Sequence, residues 1–330
     1  MFRTRTESRG VVEMIDAIAL GELLIDFSCN EIDSDGYPSL VSHPGGAPAN
    51  WLGTIQKLGG KTELIAKVGD DVFGSLLVKT LKKAGIGTRG VSKASDVFTT
   101  LAFVTFNEKR DREFSFSRKP GADTKLGFED IPFNLIDDSK VFHFGSLSLT
   151  DEPSKSSTRS AVDYARKHAK LISFDPNYRK PLWSSEQDAK LQMLWGLSVS
   201  DVVKISDEEV SFLFPGLSFD DAGQYIIRNY GVKLVYVTLG SSGSIVSNAS
   251  ASVRVDSFRN VDVVDTTGAG DIYGGSAMWA LLQTGKAPEH LSAAELSDIA
   301  KFASISSGLS VTRPGGLSSI PSLEEVKRFL

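Results

Sequence analysis

The chain has 330 residues, of which 41% are hydrophobic and 23% charged, and its formal net charge is −5. This composition predicts a globular protein with a large core, and the acidic balance disfavours a nucleic-acid partner. One cysteine, Cys29, excludes an internal disulfide and, with only four histidines, a Cys/His zinc site. The single cysteine also favours a reducing compartment, and we expect the cytoplasm. No apolar run approaches the roughly 20 residues that cross a bilayer, so we expect no membrane partner.

The first 14 residues, MFRTRTESRGVVEM, are charged and lack the apolar stretch of a secretory signal. We predict that they form a disordered leader. A transit peptide is the alternative, because Arg, Ser and Thr are frequent there. The remaining residues, 15–330, are predicted to form one domain with smaller insertions.

From residue 15 onward, short apolar runs alternate with stretches whose apolar residues recur at three- and four-residue spacing. Runs such as TELIAKVG, KLISFDP and KLVYVTLG are typical of buried strands, whereas DVFGSLLVKTLKKAG and KSSTRSAVDYARKHA are typical of amphipathic helices. This alternation predicts an α/β fold of βαβ units, with a parallel sheet and helices on both faces. In such folds, ligands bind at the carboxyl ends of the strands.

Two segments depart from this alternation. The segment VFTTLAFVTFNEKRDREFSFSRK at 97–119 alternates apolar and polar residues around a charged turn, which predicts an antiparallel hairpin. The segment FSCNEIDSDGYPSLVSHP at 27–44 contains Asp35-Gly36, a turn-forming pair that predicts a second hairpin. We expect the two hairpins to form a small β lid over the active edge of the main sheet, with ordinary surface loops as the alternative.

The densest glycine cluster is DTTGAGDIYGG at 265–275, between an apolar run and a helical pattern. Glycine lowers helix propensity, so this density predicts a need for bare backbone. A Gly-Ala-Gly turn that begins a helix exposes N–H groups at the positive end of the helix dipole and predicts an anion site. Asp271 is either a helix cap or a functional carboxylate. The segment matches neither GxxxxGK[ST] nor GxGxxG, which disfavours a P-loop NTPase and a nucleotide-dependent oxidoreductase.

Two further glycine clusters lie elsewhere in the chain. HPGGAPANWLGTIQKLGG at 43–60 opens a predicted helix with Asn50 in its first turns, and TLGSSGS at 238–244 joins two strand-like runs. Taken singly, the first is explained equally well by a tight turn before a capped helix, and the second by a plain hairpin. Only their combination points to a function.

In this order, the three clusters resemble the ribokinase-type carbohydrate kinase family. GGAPAN followed by KVGDDVFG is similar to the first signature of that family and DTTGAGD to its second, and the resemblance extends over residues 15–330. The segments FHFGSLSLT, SFDPNYRKPLW, KISDEE and SRKPGAD look most like those of fructokinases. Ser276 departs from the pattern, which usually has Ala or Gly there. The resemblance implies a ribokinase-like three-layer α/β/α sandwich with a mainly parallel sheet and a small β-sheet lid, whose strands are inserted at about 27–44 and 97–120.

The resemblance also implies an activity. A family member transfers the γ-phosphate of ATP to a sugar hydroxyl, with a carboxylate as general base and backbone N–H groups as an anion hole. Asp271 matches the base, and Gly268, Ala269, Gly270 and Asp271 match the anion hole. The sugar-binding positions are matched by Asp26, Gly45, Gly46, Asn50 and Arg118. The last of these either closes over the sugar from the lid or is a solvated charge.

Nucleotide and cations complete the implied site. Nucleotide-binding positions are matched by Asn177, Arg179, Lys204, Glu209, Thr238, Gly240, Gly243 and Ala303. Ala303 is either a wall for adenine or an ordinary core residue. Mg²⁺ is expected to be held mainly by phosphates and water, although Ser206 stands where the family has Asn in the motif that contains Glu209. A monovalent cation, K⁺, is expected at Asp265, Thr267, Ser310, Arg313, Gly315 and Ser319.

The predicted function is that of an ATP-dependent sugar kinase, most similar to the fructokinases that form fructose 6-phosphate. The alternatives are a kinase for 2-keto-3-deoxygluconate, ribose or a nucleoside, and a catalytically silent regulatory protein on the same fold. The retained Asp271 and glycines disfavour the silent protein. We expect the lid to exclude water, which would compete as phosphoryl acceptor. Because some relatives pair lid to lid, a homodimer is also expected.

Overall fold

A nine-stranded sheet forms the centre of the protein, whose structure is a computed structural model describing residues 14–106, 112–259 and 261–330. The strands of the protein are β1 Ile15–Leu20, β2 Leu24–Ile32, β3 Pro38–Gly45, β4 Thr62–Gly69, β5 Gly87–Ala94, β6 Leu101–Phe106, β7 Arg112–Ser117, β8 Ser139–Gly145, β9 Leu171–Asp175, β10 Val202–Ser206, β11 Leu234–Thr238, β12 Ser244–Asn248 and β13 Ser252–Val255. The order in the main sheet is β13-β12-β11-β10-β9-β8-β1-β4-β5. Neighbours from β11 to β5 pair in parallel, and β12 pairs antiparallel with β11 and β13. The prediction of a mainly parallel sheet is confirmed, whereas the predicted leader, apart from Met14, lies outside the described residues.

Helices cover both faces of this sheet. They are α1 Ala47–Lys57, α2 Val72–Lys83, α3 Phe133–Asp137, α4 Ser154–Lys167, α5 Glu186–Val199, α6 Asp207–Leu213, α7 Phe219–Tyr230, α8 Ala269–Thr284, α9 Ala293–Ser310 and α10 Leu323–Lys327. Residues of α1, α2, α8 and α9 share one core with the sheet, and residues of α3 to α7 share the other. None of these helices is long and apolar enough to span a membrane.

Strand β1 shows why the sheet has two buried faces. Ala17 and Ala19 belong to the core beneath α1 and α8, whereas Ile18 and Leu20 belong to the opposite core. Successive side chains of a strand point to opposite faces, so a strand covered on both sides needs apolar residues at every position. The near-continuous apolar runs in the sequence therefore correspond to strands in the middle layer of a three-layer sandwich.

A separate four-stranded sheet, the small sheet, has the order β3-β2-β6-β7. Its antiparallel pairs, β2 with β3 and β6 with β7, correspond to the two predicted hairpins. The hairpins are joined by parallel pairing of β2 with β6, which the sequence does not predict. Phe27 of β2 stacks on Phe103 of β6 at 5.4 Å between ring centroids and meets Phe73 of α2 edge-on at 5.7 Å. One face of the small sheet therefore packs on a helix of the main domain.

Polar residues lie at the carboxyl ends of the parallel strands, along one edge of the main sheet. Strand β1 is followed there by Glu22, β9 ends at Asp175, and β10 ends at Ser206. Polar residues at these ends replace the apolar residues of the strand interiors, as is usual where an α/β sheet binds a ligand.

Candidate active site

The first turn of α8 has the backbone geometry of an anion site. Gly268 precedes the helix with a φ of 74°, in the left-handed region that favours glycine. Helix geometry leaves the N–H groups of Gly270 and Asp271 without an intrahelical carbonyl, and no described side chain caps this helix end. The Ala269 N–H instead donates to the Thr266 carbonyl at 3.2 Å. In this conformation Ala269 is not a free donor, contrary to the prediction, and Gly270 and Asp271 supply the unpaired N–H groups.

Asp271 lies in this first turn but does not cap the helix. Its Oδ2 accepts a hydrogen bond from Asn50 Nδ2 of α1 at 2.9 Å. Burial raises the pKa of Asp271, and the Asn50 bond and the positive charges of Lys204 and Arg179 only partly offset this. A carboxylate with a raised pKa is better matched to proton transfer near neutral pH. The sequence predicts Asn50 as a sugar ligand, but the structure also makes it the partner that orients Asp271.

The side-chain oxygen of Asn50, unlike its nitrogen, has no hydrogen-bond partner among the described residues. This atom, Oδ1, is also buried. A buried acceptor of this kind is costly unless something donates to it. Asn50 Oδ1 is therefore well suited to accept a hydrogen bond from a hydroxyl group of a ligand beside Asp271.

Asp26 of β2 lies within electrostatic reach of Asp271. Burial raises the pKa of Asp26 to about 6, while Arg179 lowers it and Asp265 raises it. The charge of Asp26 in turn raises the pKa of Asp271. Residues from β2, α8 and the loop after β9 thus influence one another electrostatically. The assignment of Asp26 to a sugar site next to a base stays a prediction.

Gly45 and Gly46 let the backbone pass close to this region. A side chain on Gly45 would overlap the Asp26 carboxylate, and one on Gly46, where φ is 119°, would overlap the backbone carbonyl of Glu22. Bare backbone is therefore required at Gly46, whereas a side chain at Gly45 would displace the Asp26 carboxylate. The structure thus brings Gly45, Gly46, Asp26 and Asn50 together with Asp271.

Glu22 is a site-adjacent residue that the sequence analysis did not single out. It is buried, and its Oε1 accepts a hydrogen bond from the Ala47 N–H, at the start of α1, at 2.9 Å. Burial raises its pKa to about 7, although its backbone hydrogen bonds act to lower it. The available signal was a carboxylate directly after an apolar strand, in the run IALGE.

The prediction that Arg118 closes over the sugar from a lid is wrong for this conformation. The side chain is only 3% exposed. Its Nε donates to Asp123 at 2.8 Å, and its terminal nitrogens donate to Thr150 Oγ1 at 2.8 Å and the Leu147 carbonyl at 2.9 Å. A guanidinium with these partners anchors the end of the small sheet to the main domain and has little freedom to reach a ligand.

Lys204 of β10 lies just behind the first turn of α8. Its Nζ is 3.0 Å from Asp175 Oδ2, and a side-chain carbon built on Gly270 would lie 3.1 Å from the same nitrogen. Burial alone would lower the pKa of Lys204, but the charges of Asp175, Glu209 and Asp271 raise it. The ammonium group is therefore held charged beside the predicted anion hole. Asp175 was missed by the sequence analysis, although it ends a predicted strand.

Glu209 has a well-defined local role. Its carboxylate accepts the N–H of Ser206 and the N–H of Tyr178, each at 2.8 Å, and Ser206 Oγ accepts the Glu209 N–H in a capping box that begins α6. Burial raises the pKa of Glu209, and Lys204 lowers it. The serine that replaces the family's asparagine thus serves as the helix cap.

The loop after β9 carries two predicted nucleotide residues. Asn177 has a φ of 43°, a left-handed conformation that is uncommon outside glycine, and its N–H donates to Asp175 Oδ1 at 3.1 Å. Arg179 is exposed, and its charge acts on both Asp26 and Asp271. The loop therefore places the positive charge of the long Arg179 side chain near Asp26 and Asp271.

The four remaining residues predicted to bind nucleotide, Thr238, Gly240, Gly243 and Ala303, lie in different surroundings. Thr238 and Gly240 lie where β11 leaves the sheet, and a side chain on Gly240 would meet open space. Gly243 has a φ of 92°, and a side chain there would overlap the Val255 carbonyl, so the β12–β13 pairing alone explains this glycine. Ala303 is completely buried in the core shared by α8 and α9. It has no surface to offer to adenine in this conformation, and the core alternative is correct.

The predicted cation residues hold two loops together. Asp265 Oδ1 accepts the N–H of Thr267 at 2.9 Å, and Asp265 Oδ2 accepts the N–H of Gly315 at 2.9 Å. The hydroxyls of Ser310 and Ser319 donate to backbone carbonyls of Ser307 and Gly316, and Arg313 pairs with Glu325. No three His, Cys, Asp or Glu side chains in the described ranges form a metal cluster, so a cation here would depend on backbone carbonyls.

Comparison with known proteins shows which chains and folds this protein is similar to. A protein with the description "probable fructokinase-4" from Arabidopsis thaliana is 36% identical over 315 residues, covering 95% of this chain and 96% of its own. Fructokinase-2 from Oryza sativa subsp. japonica is 37% identical over 319 residues, covering 95% and 93%. Among solved structures, fructokinase from Xylella fastidiosa with bound ATP has a TM-score of 0.86 at 30% identity, covering 94% and 97%. Fructokinase from Vibrio cholerae in its fructose, ADP and calcium form has a TM-score of 0.84 at 28% identity, covering 96% and 100%.

The fold and the site thus define an enzyme, an ATP-dependent sugar kinase. The family model described as "pfkB family carbohydrate kinase" matches residues 14–323. The chain belongs to that family.

Proposed function

We propose that this enzyme transfers the γ-phosphate of ATP to fructose and forms fructose 6-phosphate. The observation that carries the proposal is the Asp271 carboxylate, held by Asn50 in the open first turn of α8. Support for fructose comes from the relatives, several of which are named fructokinases, and from the Vibrio cholerae enzyme described with fructose and ADP.

In the proposed mechanism, Asp271 accepts the proton of the sugar hydroxyl as its oxygen bonds to the γ-phosphorus, and ADP leaves with the bridging oxygen. The N–H groups of Gly270 and Asp271 and the helix dipole stabilise the charge on the transferring group. Asp26, Asn50 Oδ1 and the bare backbone at 45–46 bind the other hydroxyls. A site built from such groups rejects analogues that leave them unpaired.

The residues around Lys204 fit a nucleotide with its metal. Arg179 is exposed and suits a phosphate because its guanidinium donates in a fork, and Asn177, Thr238 and Gly240 border the same strand ends. Asp175 and Glu209 place two buried carboxylates beside Lys204, an arrangement that suits Mg²⁺ held through phosphates and water. Magnesium would neutralise phosphate charge during transfer. Among similar structures, a putative ribokinase II from E. coli is described with ATP and Mg²⁺.

We also propose a monovalent cation site between the segments 265–267 and 313–315. Asp265 ties the two segments together through its bonds to Thr267 and Gly315, so their carbonyls can face one ion. The potassium-bound form of a Vibrio cholerae fructokinase variant supports K⁺ as the candidate. We further propose that the small sheet acts as a lid, that it pairs with a second copy, and that the enzyme works in the cytoplasm.

A coupled assay that measures ADP release across fructose, ribose, tagatose, 2-keto-3-deoxygluconate and adenosine tests the proposed substrate. We expect fructose to give the highest kcat/KM. A higher value for another compound would replace fructose while leaving the kinase class intact. Activity with none of the five would overturn the proposal.

Replacing the base gives a sharper test of the site. We expect Asp271→Asn to lower kcat by roughly two to four decades, because proton transfer is lost, with little change in ATP affinity. Asp221 is a matched control, since it occupies the same third position of α7 and is exposed. Turnover of Asp271→Asn equal to that of Asp221→Asn would exclude Asp271 as the base.

A further inference from the structure

Polar side chains occupy two neighbouring rows on the buried face of the main sheet beneath α8. His143 of β8 lies opposite Ser173 of β9, and two positions further along the strands Lys204 of β10 lies opposite Tyr236 of β11. The inner strands of a parallel sheet are normally apolar on both faces, and desolvating polar groups costs free energy. These polar residues therefore call for an explanation beyond packing.

These side chains line a small cavity beneath the second and third turns of α8, to which Gly274 and Met278 contribute. Its walls include Trp51 and the polar residues His143, Ser173, Asp175, Lys204 and Tyr236. The volume open to the centre of a water molecule is about 10 Å³, close to the roughly 10–15 Å³ that one water requires. The cavity is thus large enough for a single water and too small for a metabolite.

The hydroxyl of Tyr236 points to a ligand in this cavity. Tyr236 is 2% exposed, and its Oη has no hydrogen-bond partner in the described part of the chain. A buried tyrosine hydroxyl normally finds a partner. Lys204 can supply a second contact, because its ammonium has three donors and Asp175 is its hydrogen-bonded partner on one side.

The two other polar residues of the cavity wall, His143 and Ser173, are fixed in position. His143 stacks on Trp51 at 4.1 Å between ring centroids, and its Nδ1 is 3.0 Å from Ser173 Oγ. Burial and the nearby Lys204 charge lower its pKa to about 3, so the ring is neutral. A neutral imidazole can accept or donate one hydrogen bond at the cavity wall.

We propose that this cavity binds one ordered water, which bridges Tyr236 Oη and Lys204 Nζ and holds the ammonium group beneath the anion hole of α8. The water accepts a hydrogen bond from Lys204, and it either donates a hydrogen bond to the Tyr236 hydroxyl or accepts one from it. Lys204 then stays beside Gly270, where negative charge develops on the transferring phosphoryl group. Tyr236 is on this account a positioning residue, and its catalytic consequence rests on the proposed kinase reaction.

Two variants separate this role from ordinary packing. Tyr236→Phe removes the hydroxyl that contacts the water, and Tyr273→Phe is the matched control. Tyr273 packs against Tyr236 at 6.1 Å between ring centroids, but its hydroxyl donates to Ser244 at 2.8 Å and lies outside the cavity wall. We expect Tyr236→Phe to lower kcat about three- to tenfold, the worth of one hydrogen bond, with KM for the sugar unchanged. Tyr273→Phe should retain the wild-type kcat.

An atomic-resolution crystal structure of the unmodified enzyme provides a readout that does not depend on activity. We expect one water within hydrogen-bond distance of Tyr236 Oη and Lys204 Nζ, and its loss or displacement in Tyr236→Phe. An empty cavity, or a Tyr236 hydroxyl bonded to protein alone, would overturn the water site. A water in place with an unchanged kcat in Tyr236→Phe would overturn the positioning role. Should the enzyme phosphorylate no sugar, the proposed function fails while the crystal structure still decides the water site.

Discussion

Asp271 is buried, and its surroundings act on its pKa in opposite directions. Burial and the charge of Asp26 favour the neutral acid, whereas Asn50, Lys204 and Arg179 favour the carboxylate. The hydrogen bond from Asn50 is the largest of the influences that favour the ionised form. Burial has the largest influence, so the pKa of Asp271 stays above its ordinary value, and the hydrogen bond from Asn50 reduces that rise.

Replacing Asn50 should therefore change the pH dependence of turnover. In Asn50→Ala the pKa of Asp271 rises further, and because only the ionised form accepts a proton, the acidic limb of the kcat profile moves to higher pH. The measurement is kcat at saturating fructose and ATP from acidic to neutral pH. Gln56→Ala is the control on the same helix, since Gln56 bonds to Thr62 instead. If the acidic limbs of both variants coincide with that of the wild type, Asn50 does not govern Asp271.

Helix α8 begins and ends with a left-handed glycine, and the two ends differ in what surrounds them. At Gly268 a side-chain carbon would lie 3.1 Å from both Asn50 Nδ2 and the Gly316 backbone, whereas at Gly285 it would meet open space. Both positions require a positive φ, of 74° and 63° respectively. The conformational need is shared, but only the N-terminal glycine is also enclosed by site residues.

Alanine at these two positions should separate stability from activity. Both Gly268→Ala and Gly285→Ala are expected to lower the free energy of unfolding by about 1–2 kcal/mol, the cost of a left-handed residue with a side chain. Only Gly268→Ala should also lower kcat, by about 10- to 100-fold, because it displaces Asn50 and the helix end. Chemical denaturation and steady-state kinetics of both variants test this. Equal kcat values would show that the first turn of α8 tolerates displacement.

At the N-terminus of α1, Glu22 couples stability to pH. Its pKa rises from the ordinary 4.5 to about 7 in the folded protein, so its contribution is fully present below about pH 4.5 and is lost as the pH rises through about 7. Relative to Glu22→Gln, the wild type should lose up to about 3 kcal/mol of unfolding free energy across that window. Glu208→Gln, at an exposed position of α6, controls for the removal of one charge. The assignment would be contradicted if the difference in unfolding free energy between the wild type and Glu22→Gln stayed constant from acidic to neutral pH.

At the scale of the whole molecule, the sequence predicts the layers and misses several of the contacts between them. Hydrophobic period distinguishes strand from helix, and the turn pair Asp35-Gly36 marks a hairpin, because these signals are local. The parallel pairing of β2 with β6, the bond from Asn50 to Asp271 and the burial of Arg118 depend on which distant segments meet. Single-chain patterns carry no information about such meetings. They therefore leave open whether Ala303 faces adenine or the core, and they predict an accessible lid position for Arg118, which is buried.

The hairpin β2–β3 places β3 at the edge of the small sheet, with exposed apolar side chains. Tyr37, Leu40 and Val41 are exposed there, and an open edge strand is a ready partner for another chain. We expect the proposed dimer to form through this edge and Leu40→Asp to convert it to a monomer. Sedimentation velocity gives the oligomeric state. Leu191→Asp, at an exposed apolar position of α5, is the control and should remain dimeric; a dimer that survives Leu40→Asp uses another surface.

The bond between Asn50 and Asp271 spans 221 positions, and this has a consequence for synthesis on the ribosome. From β8 to β13, each strand joins the sheet beside the strand made just before it, so the sheet can grow in step with translation. The segments that contain Asp26, Gly45 and Asn50, the proposed sugar ligands, emerge early, but α8 emerges only after the last strand. A nascent or prematurely terminated chain therefore contains the proposed sugar ligands without Asp271, the proposed base.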